Sequence, residues 1–136
     1  MREYALAQSA DLLHHLGVQI KQLKHTPRDN DADAIHDVRV AIRRVRQCLR
    51  VFSKFYPGDS WRKLRSELAG VMKSCGAVRD RDIAIGLLTE SGTPTDSKLA
   101  LRLQKERRAA DRDLRRDLAR WKRRGLGKKF QSRLEA

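Results

Sequence analysis

His36-Asp37-Val38-Arg39-Val40-Ala41-Ile42-Arg43-Arg44-Val45-Arg46-Gln47-Cys48-Leu49-Arg50-Val51-Phe52 decides the reading of this chain. Wound at about 100° per residue, His36, Arg39, Arg43, Arg46 and Arg50 fall in one stripe roughly 80° wide. Ile35, Val38, Ile42, Val45, Leu49 and Phe52 fall in the adjoining stripe, as an amphipathic helix requires. A helix that needs only solubility mixes both signs of charge on its polar face. This one aligns four guanidinium groups and an imidazole, which repel one another. A polyanion lying along the row removes that repulsion. The alternatives are a solvated basic face, or one neutralised by acids from another helix. Arg44 falls outside the stripe near Asp37 and reads as a local surface pair.

Around this helix, three prolines divide the chain. Pro27, Pro57 and Pro94 all sit in turn-like stretches, as expected of a residue that lacks an N–H and clashes with the preceding helical turn. The intervals read as helices. The first runs from about Glu3 to Lys24, with Leu6, Leu13, Leu16, Ile20 and Leu23 on one face. The second spans Ala32 to Phe55, with Asp31 or Asn30 as N-cap. The third starts at Asp59 or Ser60 and is expected to end or bend near Gly76, with a continuation over residues 79–89, where Asp80 either caps the continuation or orients a nearby arginine. The fourth spans Asp96 to Arg124. Long amphipathic helices with short polar connections predict an all-α antiparallel four-helix bundle over residues 1–124, followed by a basic tail over 125–136.

Composition points the same way as the stripe. The 136 residues carry 31 Lys and Arg against 17 Asp and Glu, a formal charge of +14. That balance predicts a polyanionic partner such as nucleic acid, inorganic polyphosphate or an anionic surface. Cys48 and Cys75 lie in apolar helical patterns and read as small buried hydrophobes of a reducing compartment. Glu3 and Asp11 interrupt any secretory signal, and no stretch approaches the ~20 apolar residues of a membrane span. The expected location is the cytoplasm.

Other chemistries find little support. Asp80 and Asp82 are two apart and do not share a helix face, so they make a poor metal pair. Gly125-Leu126-Gly127-Lys128-Lys129 lacks the spacing of a phosphate loop. Asp29 to Asp33 resembles a calcium loop, but Ala34 stands where glycine is needed and Val40 where the closing glutamate is needed. His14 and His15 point to different sides of their helix. The fourth helix interleaves its arginines with Glu106, Asp111, Asp113 and Asp117. Pairs such as Asp111–Arg115 and Asp113–Arg116 read as a solvated, ion-paired helix, with a secondary anion surface as the alternative. No catalytic residue, metal or cofactor is expected.

The run from His36 to Arg46, with Leu49 and Phe52, resembles the signature of the conserved histidine α-helical domain, CHAD. Glu67-Leu68 followed by Gly76-Ala77-Val78-Arg79-Asp80-Arg81-Asp82-Ile83 is similar to the second block of that family. The resemblance implies an all-helical fold that binds inorganic polyphosphate without catalysis. It places the binding positions on His36, Arg39, Arg43, Arg46 and Arg79; geometry adds Arg50 and Lys73, the latter equally readable as a plain solvated lysine. Members usually carry two such helical units in tandem across a basic groove, and often an attached triphosphatase domain. This chain carries one His-plus-Arg helix, which predicts either half of the usual domain or a homodimer that rebuilds the whole. Nucleic acid is the competing polyanion, a phosphate-processing enzyme is the remoter alternative, and association with polyphosphate granules follows from the main reading.

Overall fold

A computed structural model describes all 136 residues as five helices and no strand: α1 (Arg2–Lys24), α2 (Ala32–Val51), α3 (Ser60–Glu90), α4 (Lys98–Arg123) and α5 (Leu126–Glu135). The all-α expectation holds. Each proline lies between helices. The predicted second helix stops at Val51, and Ser53–Phe55 form a separate 3-10 turn. There Phe52 packs edge-on against Tyr4, with ring centroids 5.8 Å apart. The fourth helix begins two residues later than expected, at Lys98, where the Ser97 hydroxyl accepts the Ala100 N–H at 3.2 Å.

Two expectations are corrected. Gly76 does not end the third helix, which runs unbroken from Ser60 to Glu90. One interior glycine costs only about 1 kcal/mol relative to alanine, and Cys75 and Val78 on either side are fully buried. Asp80 therefore sits in mid-helix, exposed, and caps nothing. The second correction concerns residues 125–136, which are not a tail. Gly125 adopts a left-handed backbone (φ 57°) and turns the chain. Leu126, Phe130 and Leu134, spaced by four, then return to the core at no more than 4% exposure. Lys128, Lys129 and Arg133 occupy the other face. The chain ends meet: the Arg2 guanidinium donates to the Glu135 carbonyl at 3.2 Å.

The core is continuous through the helices. Leu13, Leu16, Ile20 and Leu23 of α1 join Val38, Ile42, Val45 and Leu49 of α2, Leu64, Leu68 and Val78 of α3, and Leu114, Leu118 and Trp121 of α4. Cys48 and Cys75 are buried free thiols, as the apolar pattern predicts. Burial raises both pKa values, that of Cys75 to about 12. Beyond Val78, the α3–α4 hairpin contributes little to the core and leaves Ile83, Leu87, Leu99 and Leu101 about half exposed.

A buried ionic cluster locks α4 to the start of α2. Asp31 does occupy the N-cap position, but its carboxylate makes no capping bond. It is fully buried and accepts from Arg107 Nη2 at 2.5 Å and Arg115 Nη2 at 2.7 Å. Those two arginines also reach the last turn of α1 and the connection that follows it. Arg107 donates to the Arg28 carbonyl at 2.9 Å, and Arg115 to the Leu23 carbonyl at 2.8 Å. Burial works to raise the Asp31 pKa, but the two guanidiniums hold it below the ordinary carboxylate value. Burial and the facing Asp31 push Asp111 the other way. The solvated reading of α4 thus holds for Asp113–Arg116 at 3.3 Å and fails for Asp111–Arg115, which is enclosed. The pattern is the same in sequence; the difference is a partner more than 70 positions away.

Two stability outcomes follow. Asp31→Ala leaves two guanidiniums without their buried partner and should cost about 3–5 kcal/mol, with Asp111→Asn costing clearly less, both read from urea unfolding midpoints. Phe130→Ala should cost about 3–5 kcal/mol; an unchanged midpoint would mean that α5 is an appendage.

Candidate functional site

The rotation of α2 is set by its core residues. With Val38, Ile42, Val45 and Leu49 inward, Arg39 and Arg46 lie on the flank beside α3, and His36, Arg43 and Arg50 lie further out on the same flank. The burial agrees, since Arg39 and Arg46 are half-buried and the other three exposed. On α3, Arg65, Ala69, Met72, Gly76, Arg79 and Ile83 fall on the corresponding flank, within about 80° of one another. The opposite flank of α3 faces α4, through Glu67–Arg120 at 2.9 Å and Arg81–Glu106 at 3.7 Å. The two basic flanks therefore face each other across a groove between antiparallel helices. Its floor on the α3 side is made of small or flexible residues, Ala69, Met72 and Gly76.

At one end of the groove, His36 and Arg39 of α2 and Arg79 and Ile83 of α3 line a cavity of about 210 Å³. Asp82 also borders it, yet its carboxylate is turned to Arg107, which donates from Nε at 3.0 Å. The cavity's cations thus keep their charge. The structure brings His36, Arg39 and Arg79 together and lines up Arg43, Arg46 and Arg50 along the same wall. Lys73 is not brought into the groove. It is exposed and lies diametrically opposite the buried stripe of α3. Arg44 forms no ion pair with Asp37 or with any other carboxylate.

The decisive property of the groove is what it lacks. None of the ion pairs in the structure includes His36, Arg39, Arg43, Arg46, Arg50, Arg65 or Arg79. Five buried side-chain polar atoms have no hydrogen-bond partner. Two of them, Arg115 Nε and Asp111 Oδ1, at least face each other at 3.5 Å. The other three are Arg39 Nε, Arg46 Nε and Arg65 Nε, all on the groove flanks. Half-buried guanidiniums elsewhere in this protein, those of Arg107 and Arg115, are tied to carboxylates. An unsatisfied buried donor costs about 1–3 kcal/mol, and the protein supplies no acceptor to these three. Arg is suited to anion binding, because its planar fork matches phosphate oxygens and it remains charged at any physiological pH.

Arg65 was missed by reasoning from the sequence. Its signal is present, for it stands two heptads before Arg79 on the same face. It is invisible until α3 is known to continue unbroken through Gly76. No group of three or more His, Cys, Asp or Glu side chains is placed for a metal ion, and no helix is long and apolar enough to cross a membrane.

With this geometry in view, the comparison with known families is informative. The family model for the CHAD domain matches residues 10–136. The chain belongs to the CHAD domain family. The match runs from α1 to the end of α5 and so includes both walls of the groove. As a family, CHAD domains are non-catalytic binding domains associated with polyphosphate. No curated protein and no solved structure matched the chain.

Because the CHAD groove carries its charge unpaired, removing one cation should ease the unliganded fold. Arg46→Gln should raise stability by about 0.5 kcal/mol through loss of like-charge repulsion along α2. Arg115→Gln should instead cost several kcal/mol through the stranded Asp31. Thermal melts at low ionic strength separate the two.

Proposed function

We propose that this protein binds inorganic polyphosphate along the α2–α3 groove, without turning it over. The supporting observation is the set of buried guanidinium Nε atoms with no protein partner on both walls of one groove. His36, Arg39, Arg43, Arg46, Arg50 and Arg79 contact the phosphates. Lys73, on the outer face of α3, contributes only to the general field. Binding is electrostatic. Arginines replace the counterions condensed on the polyanion, whose release drives association and makes affinity fall steeply with salt, as for DNA.

Nucleic acid is the weaker occupant. Single-strand binders offer aromatic platforms for base stacking, whereas the one aromatic residue on the α3 flank, Trp61, is partly buried against the core. Tyr56, Trp121 and Phe130 are buried, and Phe52 and Phe55 pack beside the core. Hydrolysis would need carboxylates to hold magnesium. Asp82 is committed to Arg107, and Asp80 is alone on the surface.

The second basic wall found in tandem family members has its counterpart in a second copy of this chain. Ile83 belongs to both the groove and the apolar hairpin face, so a homodimer docked on Ile83 and Leu87 sets two grooves side by side. The dense like charge of the two copies makes that dimer depend on the bound polyanion. Cytoplasmic residence and attachment to polyphosphate granules complete this reading.

The Arg39→Ala, Arg43→Ala double variant should bind medium-chain polyphosphate at least about 100-fold more weakly, given two lost charge-assisted contacts. Its salt slope should fall by about 2 and its helical circular dichroism should stay unchanged. Unaltered binding would overturn the site. Polyphosphate should displace RNA at equal phosphate concentration, not the reverse. Light scattering with and without polyphosphate reads the dimer.

A further inference from the structure

The two walls of the groove have the same length. His36 to Arg50 on α2 and Arg65 to Arg79 on α3 are each fourteen steps apart, about 21 Å at 1.5 Å per residue. The helices run in opposite directions, and the cavity at one end fixes their register by joining His36 and Arg39 to Arg79. Fourteen residues on along α2 and fourteen back along α3, Arg50 and Arg65 stand level at the other end. Between the ends the α3 wall carries no charge, only Ala69, Met72 and Gly76, whereas α2 supplies Arg43 and Arg46. A Cβ added at Gly76 would meet nothing within 4 Å, so the channel beside α3 is open.

We infer that Arg65 is a phosphate-binding residue that closes the far end of the groove, and that the protein thereby selects chains long enough to reach from the His36–Arg79 cavity to the Arg50–Arg65 pair. This deepens the proposed function and rests on it. Two features carry it. Arg65 Nε is buried without a partner, as are Arg39 Nε and Arg46 Nε, and nothing within the protein rewards a cation there. Charge on the α3 wall is confined to its two ends, so a short anion held at the cavity gains nothing from Arg65. A chain spanning about 21 Å gains both ends at once, because the second contact is made intramolecularly at high effective concentration. Tripolyphosphate, with three phosphorus atoms, covers well under half that distance and settles in the preformed cavity.

The test is calorimetric titration of the full chain with tripolyphosphate, with oligophosphates of increasing length, and with chains of tens of phosphates. Wild-type affinity should climb with length and level off once the groove is spanned. Arg65→Gln should weaken binding of spanning chains about tenfold, the worth of one charge-assisted contact. It should leave tripolyphosphate affinity within twofold, whereas Arg79→Gln should weaken both. If Arg65→Gln acts equally on short and long chains, or on neither, the length selection is wrong. Should that variant fail to fold, Arg50→Gln at the same end carries the test with the same expectation. Failure of wild type to bind any long chain would remove the polyphosphate reading itself, a result distinct from length-independent binding.

Discussion

Seventeen carboxylates cannot neutralise thirty-one cations, and the fold decides where the deficit falls. It falls unevenly. Glu67, Asp82, Glu106, Asp111 and Asp113 are all engaged by arginines of the α3–α4 side, and Asp31 is drawn into the same cluster. None of them pairs with a cation of the α2–α3 groove, although Asp82 borders its cavity. A uniformly screened +14 surface would attract anions everywhere and hold them nowhere in particular. Concentrating the unpaired charge between two helices gives it direction, and burying part of the Arg39, Arg46 and Arg65 side chains reduces their competing hydration.

The enclosed Asp31 cluster makes that segregation possible. Burying a carboxylate among arginines is seldom a net source of stability, so its value here is positional. Asp31 stands at the first turn of α2. Arg107 and Arg115 fix it to α4 and, through the Leu23 and Arg28 carbonyls, to the end of α1 and the connection after it. Three elements are thereby pinned at one point, which fixes where α2 begins relative to α1 and α4, while its core residues set its rotation. The same Arg107 holds the Asp82 carboxylate, the acid nearest the cationic cavity. One side chain thus anchors the fold and keeps the groove's charge intact.

Much of this was legible in the sequence because it is local. The apolar and basic stripes of α2 share a 3.6-residue period, and their separation follows from spacing alone. The prolines mark the turns, and both cysteines lie in apolar stripes. What was hidden depended on distance or on competing local signals. Leu126, Phe130 and Leu134 repeat at helical spacing, but the glycines beside them and the adjacent lysines resemble a loop. Gly76 reads as a stop until the burial of Cys75 and Val78 is known. Asp111 and Asp113 look alike, since only the fold brings Asp31 to one of them. Arg65 could not be assigned to a wall before α3 was known to be continuous.

The contact between Arg2 and the Glu135 carbonyl has a consequence for the topology of the chain. With the start of α1 beside the end of α5, the five-helix unit meets the geometric condition for circular permutation. A short bridge from the end of α5 to the start of α1 would close the five helices into a ring, and the exposed turn around Pro94 offers a place to reopen it. The same adjacency would let the unit be spliced into a surface loop of an unrelated host without prying apart either partner.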